Sequence, residues 1–193
     1  MSIQSICVFC GASPGLNPAF QAAAKGLGEL FGYNGIQLVY GGGGTGLMGI
    51  VADSVLKAGG EVTGVIPDYL QDRELGYQKL TRLEVVRSMH ERKRRMFDLA
   101  DGIVVLPGGV GTLEEALEII TWKQLRMHNK PIVILNVQKY WQKLDDLIAA
   151  TIEHGFAAPP TRDLYALVET PSDVIPTLQR IQQSPIDTDL ARL

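Results

Sequence analysis

Two segments of the 193-residue chain carry residue types that could do chemistry together. The first is Pro107-Gly108-Gly109-Val110-Gly111-Thr112-Leu113-Glu114-Glu115. Glycines that follow a strand let backbone N–H groups approach an oxygen-rich ligand, and the positive end of the next helix favours an anion there. The spacing departs from Gly-x-Gly-x-x-Gly and from the Walker pattern, which needs Gly-Lys-Ser/Thr. Alone, the loop puts phosphate binding only slightly ahead of tight-turn chemistry. Thr112-Leu113-Glu114-Glu115 also reads as a capping box, with Thr112 as N-cap and Glu115 at N3. On that simpler reading Glu115 is structural. The functional alternative gives it a substrate hydroxyl or an attacking water, on the sugar side of a bound phosphate, because a carboxylate repels a phosphate.

The second segment is Arg87-Ser88-Met89-His90-Glu91-Arg92-Lys93-Arg94-Arg95-Met96. Wound at the helical period, Met89, Met96, Phe97, Leu99 and Ala100 form one apolar face. Glu91, Arg94, Arg95 and Asp98 fall outside it, but Arg92 and Lys93 fall within it. Two inward cations need anionic partners, either protein carboxylates or a ligand phosphate. The sequence favours the ligand.

The elements that must position these residues alternate between strand and helix. Predicted strands are Ile3 to Cys10, Ile36 to Tyr40, Glu61 to Ile66, Leu80 to Val86, Gly102 to Leu106, Ile132 to Leu135 and Tyr165 to Val168. Predicted helices run from Pro18 to Tyr33, from Gly46 to Ala58, from Ser88 to Ala100, from Leu113 to Met127, from Lys139 to Glu153 and from Ser172 to Gln182. Asp68 to Lys79 reads as a loop over the sheet. Such alternation implies an α/β, Rossmann-like doubly wound fold: a mainly parallel sheet with helices on both faces, in one domain over residues 1–183 with a tail over 184–193. Ligands of such sheets bind at the carboxyl ends of the strands, where both Gly41 to Gly46 and the Pro107 segment fall. Four consecutive glycines are costly in chain entropy unless something must approach closely.

Composition narrows the classes. A formal charge of −3 gives no whole-protein attraction to nucleic acid or anionic membranes, so an anion must be caught by local geometry. No segment has the length of a membrane span or the layout of a signal peptide, and a cytoplasmic location is expected. Cys7 and Cys10 lie in a strand at an odd offset, on opposite faces, and read as core residues rather than a redox pair. His90, His128 and His154 show no ligand spacing, and no metal is expected.

Together these residues resemble the Lonely Guy (LOG) family of cytokinin-activating phosphoribohydrolases. The family's Pro-Gly-Gly-x-Gly-Thr-x-x-Glu is unbroken from Pro107 to Glu115, and its Met-His-x-Arg-Lys stands at Met89 to Lys93. Val8-Phe9-Cys10-Gly11-Ala12-Ser13 and Gly46-Leu47-Met48-Gly49 are also similar, with Ala12 where serine is frequent. The resemblance runs from about Cys7 to Asn136. It implies a homodimer that hydrolyses adenine-type nucleoside 5′-monophosphates without a cofactor. Arg92 and Glu115 would be the catalytic pair. Lys93, Gly109, Val110, Gly111 and Thr112, with neighbouring Leu113 and Glu114, would bind the ribose phosphate, and Glu74 would reach the substrate from its loop. Thr121 also matches a binding position, although helical winding places it away from Glu115. A lysine decarboxylase label attached to the family finds no lysine set for a pyridoxal phosphate Schiff base. Two other classes compete: a nucleotide sensor or carrier without turnover on the same scaffold, and a dinucleotide-dependent oxidoreductase. The first turn, Gly11-Ala12-Ser13-Pro14-Gly15, lacks the glycine spacing that the oxidoreductase requires.

Overall fold

Short apolar runs between amphipathic helices fold as a parallel sheet covered on both faces. The computed structural model describes residues 3–71 and 79–183. Its strands are β1 (Ser5–Phe9), β2 (Gln37–Tyr40), β3 (Val62–Pro67), β4 (Arg82–Val86), β5 (Gly102–Val105), β6 (Ile132–Leu135) and β7 (Ala166–Val168). The helices are α1 (Pro18–Tyr33), α2 (Gly46–Lys57), α3 (Met89–Asp98), α4 (Val110–Gln124), α5 (Gln142–Glu153) and α6 (Val174–Gln183). All seven strands pair in parallel, in the order β4-β3-β2-β1-β5-β6-β7. The chain steps outward from β1 in one direction up to β4, then returns to β1's other side with β5. Between β1 and β5 the order reverses, which opens a crevice at their carboxyl ends.

The alternation of side chains along β1 divides the core. Ile6, Val8 and Cys10 join α1, α2 and α6 residues such as Leu27, Phe31, Val51, Val55 and Leu178. Cys7 and Phe9 join Met96, Phe97, Ile119, Ile120, Leu144 and Ile148 of α3, α4 and α5. Both cysteines are buried free thiols on opposite faces. On the first face α1 and α2 touch backbone to backbone. A Cβ on Gly28 would stand 2.6 Å from Val51 O, and one on Gly32 2.8 Å from Val55 O.

Three helices start elsewhere than their sequence suggests, the last of them α6, which begins at Val174 rather than Ser172 because Pro171–Asp173 form a 3-10 turn. Gly109, not Thr112, is the N-cap of α4, and the first helical bond runs from Leu113 N to Gly109 O at 3.0 Å. Thr112 is therefore an interior first-turn residue, 4% exposed, and the capping box does not form. Extended backbone at Gly109 lets the helix begin directly off the strand loop. The helix after β6 begins at Gln142 rather than Lys139, because Gln138 (φ 52°) and Lys139 (φ 57°) take left-handed backbone that no helix can incorporate. Residues 72–78, with Glu74, and the expected tail 184–193 lie outside the described residues. Among those described, no helix is long and apolar enough to cross a membrane.

Two buried lysines behave in opposite ways. Lys93 of α3, 5% exposed, lies 2.5 Å from Glu114 Oε1 and 2.8 Å from Glu118 Oε2, strapping α3 to α4. Burial works against its charge, but the bonds from Glu114 and Glu118 prevail and hold its pKa above the ordinary lysine value. Lys123, fully buried, donates to the Lys130 carbonyl at 3.1 Å. Burial pushes it down to about 8.

Opposite outcomes follow from removing each charge. Lys93→Met leaves two carboxylates uncompensated and should cost about 2 kcal/mol, discounted for the exposure of Glu114. Urea unfolding should show a smaller cost of that change in a Glu118→Gln background, and equal costs in both would refute the strap. For Lys123 the folded state holds the proton less tightly than the unfolded chain. Wild-type stability should therefore rise with pH between about 8 and the unperturbed lysine value of about 10.4. Lys123→Met should remove that rise and add about 2 kcal/mol at pH 7, after the lost bond to Lys130 is offset. Denaturation at pH 7 and pH 10 measures both, and an unchanged midpoint at pH 7 would contradict the argument.

Candidate active site

Three loops at the strand carboxyl ends build one site by interlocking. After β1, Gly11 donates its N–H to Pro107 O at 3.0 Å, and its own carbonyl accepts from Leu47 N (3.0 Å) and Met48 N (3.3 Å) at the start of α2. Thr45 Oγ1 donates to Ala12 O. A Cβ on Gly46 (φ 60°) would lie 2.2 Å from the Ala12 backbone. A Cβ on Gly108 would lie 2.1 Å from Thr112 Oγ1. The approach that the glycine run after β2 permits is thus largely the protein's own, since a Cβ on Gly41 would stand 2.1 Å from Arg92 Nη2.

Gly109 and Gly111 differ from these. A Cβ on either would meet no atom within 4 Å, and neither has a positive φ. They line a cavity of about 600 Å³ at the β1/β5 crevice. At a helix start the first N–H groups have no intrahelical acceptor, so Val110, Gly111 and Thr112 offer open amides at the positive end of α4. Phe20, Leu47, Met48, Met89 and Met96 supply an apolar part of the wall.

Arg92, 5% exposed, lines the same cavity from α3. Its Nε donates to Val65 O at 3.1 Å and its Nη2 to Gly41 O at 2.7 Å, while Nη1 stands 3.6 Å from Met89 Sδ. Glu115 lines the cavity from α4, half-buried, six residues beyond the N-cap. Cys10 sits among these charges. Burial pushes its thiol pKa up, the negative charge of Glu115 pushes it further, and Arg92 opposes the rise.

The structure brings together Arg92, Gly109, Gly111, Thr112, Glu114 and Glu115 as cavity-lining residues. Lys93 is not among them; it takes the carboxylate option, against the ligand phosphate that the sequence favours. Val110, 83% exposed, and half-buried Leu113 also lie off the cavity lining, although the Val110 amide belongs to the helix start. Thr121 is exposed on α4 and bonds to Leu117 O within its own helix. Glu74 lies outside the described residues. Sequence reasoning missed Tyr140, which lines the cavity and donates its hydroxyl to Gly108 O at 2.5 Å. No spacing signal marks it, because it arrives through the left-handed turn before α5.

Comparison with known proteins gives the family and the fold. A family model described as "possible lysine decarboxylase" matches residues 48–178, yet no lysine lines the cavity among the described residues. The probable cytokinin riboside 5′-monophosphate phosphoribohydrolase LOGL5 of Oryza sativa subsp. japonica is 44% identical over 188 residues, covering 97% of this chain and 76% of its own length. The cytokinin riboside 5′-monophosphate phosphoribohydrolase LOG4 of Arabidopsis thaliana is 41% identical over 186 residues, 96% and 86% of the two chains. Among solved structures, the molybdenum cofactor binding protein of Rippkaea orientalis superposes with a TM-score of 0.69 at 20% identity, over 94% of this chain and 99% of that one. The molybdenum cofactor carrier protein of Chlamydomonas reinhardtii gives 0.69 at 18% identity, over 93% and 98%. At such identities the likeness concerns the fold, and it bears out the Rossmann-like expectation. Matched by a family model over residues 48–178 and by relatives along nearly its whole length, the chain belongs to the Lonely Guy family of cytokinin riboside 5′-monophosphate phosphoribohydrolases.

Proposed function

We propose that this protein hydrolyses the N-glycosidic bond of adenine-type nucleoside 5′-monophosphates, releasing the free base and ribose 5-phosphate. One observation carries the reading. A single cavity is lined by the amide-bearing start of α4, by Glu115 less than two turns further along the same helix, and by the buried Arg92 of α3. That spacing suits a ligand whose phosphate and anomeric carbon lie at the two ends of a ribose.

The open amides of Val110, Gly111 and Thr112 hold the 5′-phosphate and so place C1′ beside Glu115. Two carboxylates next to a phosphate would repel it, but Lys93 already compensates Glu114. Glu115, which lines the same cavity, is the acid that faces the sugar. As the C1′–N bond breaks, the electron pair leaves with the base, which takes up a proton from solvent to become the neutral purine, and positive charge builds on the ribose ring. Glu115 opposes that charge and takes the proton of the water whose oxygen bonds to C1′. Arg92, fixed by the carbonyls of Gly41 and Val65, holds the substrate and neutralises negative charge developing on the leaving side. The binding energy of the phosphate, remote from the bond that breaks, is spent on orientation.

A homodimer belongs to the same reading. Val110, Leu117 and Leu125 are exposed apolar residues along α4, and Thr121 shares their stripe outside its own cavity. A second copy packed on this face would bring Thr121 towards the partner's site. Sedimentation should report a dimer for the wild type, and Leu117→Arg should shift it towards monomer; a wild-type monomer would remove this part of the proposal.

Glu115→Gln should still bind adenosine monophosphate but release adenine about 100-fold or more slowly. Unchanged turnover would sink the assignment. Adenosine itself should be a far poorer substrate than its monophosphate. An isopentenyl monophosphate in the same panel measures what the apolar wall contributes. A protein that binds the monophosphate and releases no base would be a carrier instead.

A further inference from the structure

The peptide between Gly108 and Gly109 leads into the start of α4, and neither residue that flanks it carries a side chain. Gly108 is confined, because Thr112 and the Gly11 backbone crowd the place of its missing Cβ. Gly109 has no such neighbour. A peptide flanked by two glycines turns over at little steric cost. Because the unit is planar and trans, its C=O and N–H always point in opposite directions. Turning it over would put a carbonyl oxygen where the Gly109 N–H stands, beside the open amides of Val110, Gly111 and Thr112, and an oxygen there repels an anion.

One side chain from outside the loop holds that carbonyl. Tyr140 donates its hydroxyl to Gly108 O at 2.5 Å. Its ring is fixed by edge contacts with Phe20 (centroids 5.4 Å apart) and Trp141 (4.8 Å). The turn that delivers Tyr140 is strained, with Gln138 and Lys139 both left-handed without being glycine. It is also over-determined. Asn136 accepts from Lys139 N through its carbonyl and from Trp141 N through Oδ1, and Val137 O accepts from Tyr140 N. Tyr140 itself lines the cavity.

We infer that Tyr140 is a positioning residue for the phosphate subsite: its hydroxyl locks the Gly108–Gly109 peptide in the orientation that admits an anion at the start of α4. The inference rests on the proposed phosphate-binding role of that helix start. It adds a residue that no segment of the glycine motif contains.

Tyr140→Phe keeps the ring contacts and removes only the hydroxyl. Calorimetry with inorganic phosphate, adenosine monophosphate and adenosine, together with kcat and KM for the monophosphate and a urea midpoint, tests the role. The Kd of phosphate and the KM of the monophosphate should both rise about five- to tenfold. The Kd of adenosine and the urea midpoint should stay nearly unchanged, and kcat should fall by no more than the same factor, because phosphate binding energy is spent on orientation. Unaltered phosphate affinity and KM, in a protein whose wild type binds phosphate, would overturn the inference alone. Equal weakening of adenosine and monophosphate would also overturn it, because that pattern marks a general structural loss. If the wild type bound no phosphate and released no base, the functional proposal would fall and the inference with it.

Discussion

A guanidinium that is 5% exposed must be satisfied where it lies, and Arg92 is satisfied by the carbonyl ends of two adjacent strands. An unpaired buried cation would cost several kcal/mol. The fold meets that demand with Val65 O from β3 and Gly41 O beyond β2, and Gly41 has no side chain to collide with the guanidinium. Docking α3 over the sheet is therefore inseparable from presenting Arg92 to the cavity. The same contact that fills a structural requirement aims a chemical group.

The glycines divide by what occupies the space their side chains leave. At Gly41, Gly46 and Gly108 that space is taken by Arg92, Ala12 and Thr112, so these residues let three loops close on one another. At Gly109 and Gly111 it is empty and faces the cavity. The first group builds the wall, and the second leaves backbone amides open on it. Glycine-rich motifs at strand ends need both, and sequence alone does not separate them.

Charge is distributed with similar economy. Lys93 is spent on Glu114 and Glu118, which removes a cation from the ligand's reach but also removes a competing anion from beside it. Arg92 and Glu115 line the cavity beside Glu114, and both act on the Cys10 thiol. Lys123 shows the contrasting case of a buried ammonium answered by a carbonyl, and its pKa falls accordingly.

Periodic features were legible in the sequence because they are local. Apolar runs gave the strands, the 3.6-residue period placed Arg92 and Lys93 on the inward face of α3, and strand–glycine–helix order put the site at the carboxyl edge. The capping box misplaced the start of α4 because a glycine in extended backbone can begin a helix without a capping side chain. The start of α5 was misplaced because nothing in Gln138-Lys139 announces left-handed backbone. Partner choice was hidden altogether. Whether Lys93 meets a ligand or Glu114, and that Tyr140 reaches Gly108 across 32 residues of chain, are decided only when α3, α4 and the turn before α5 converge on the β1/β5 crevice. Residue type and period determine which groups must be inside; only the packed arrangement of distant segments determines what each of them finds there.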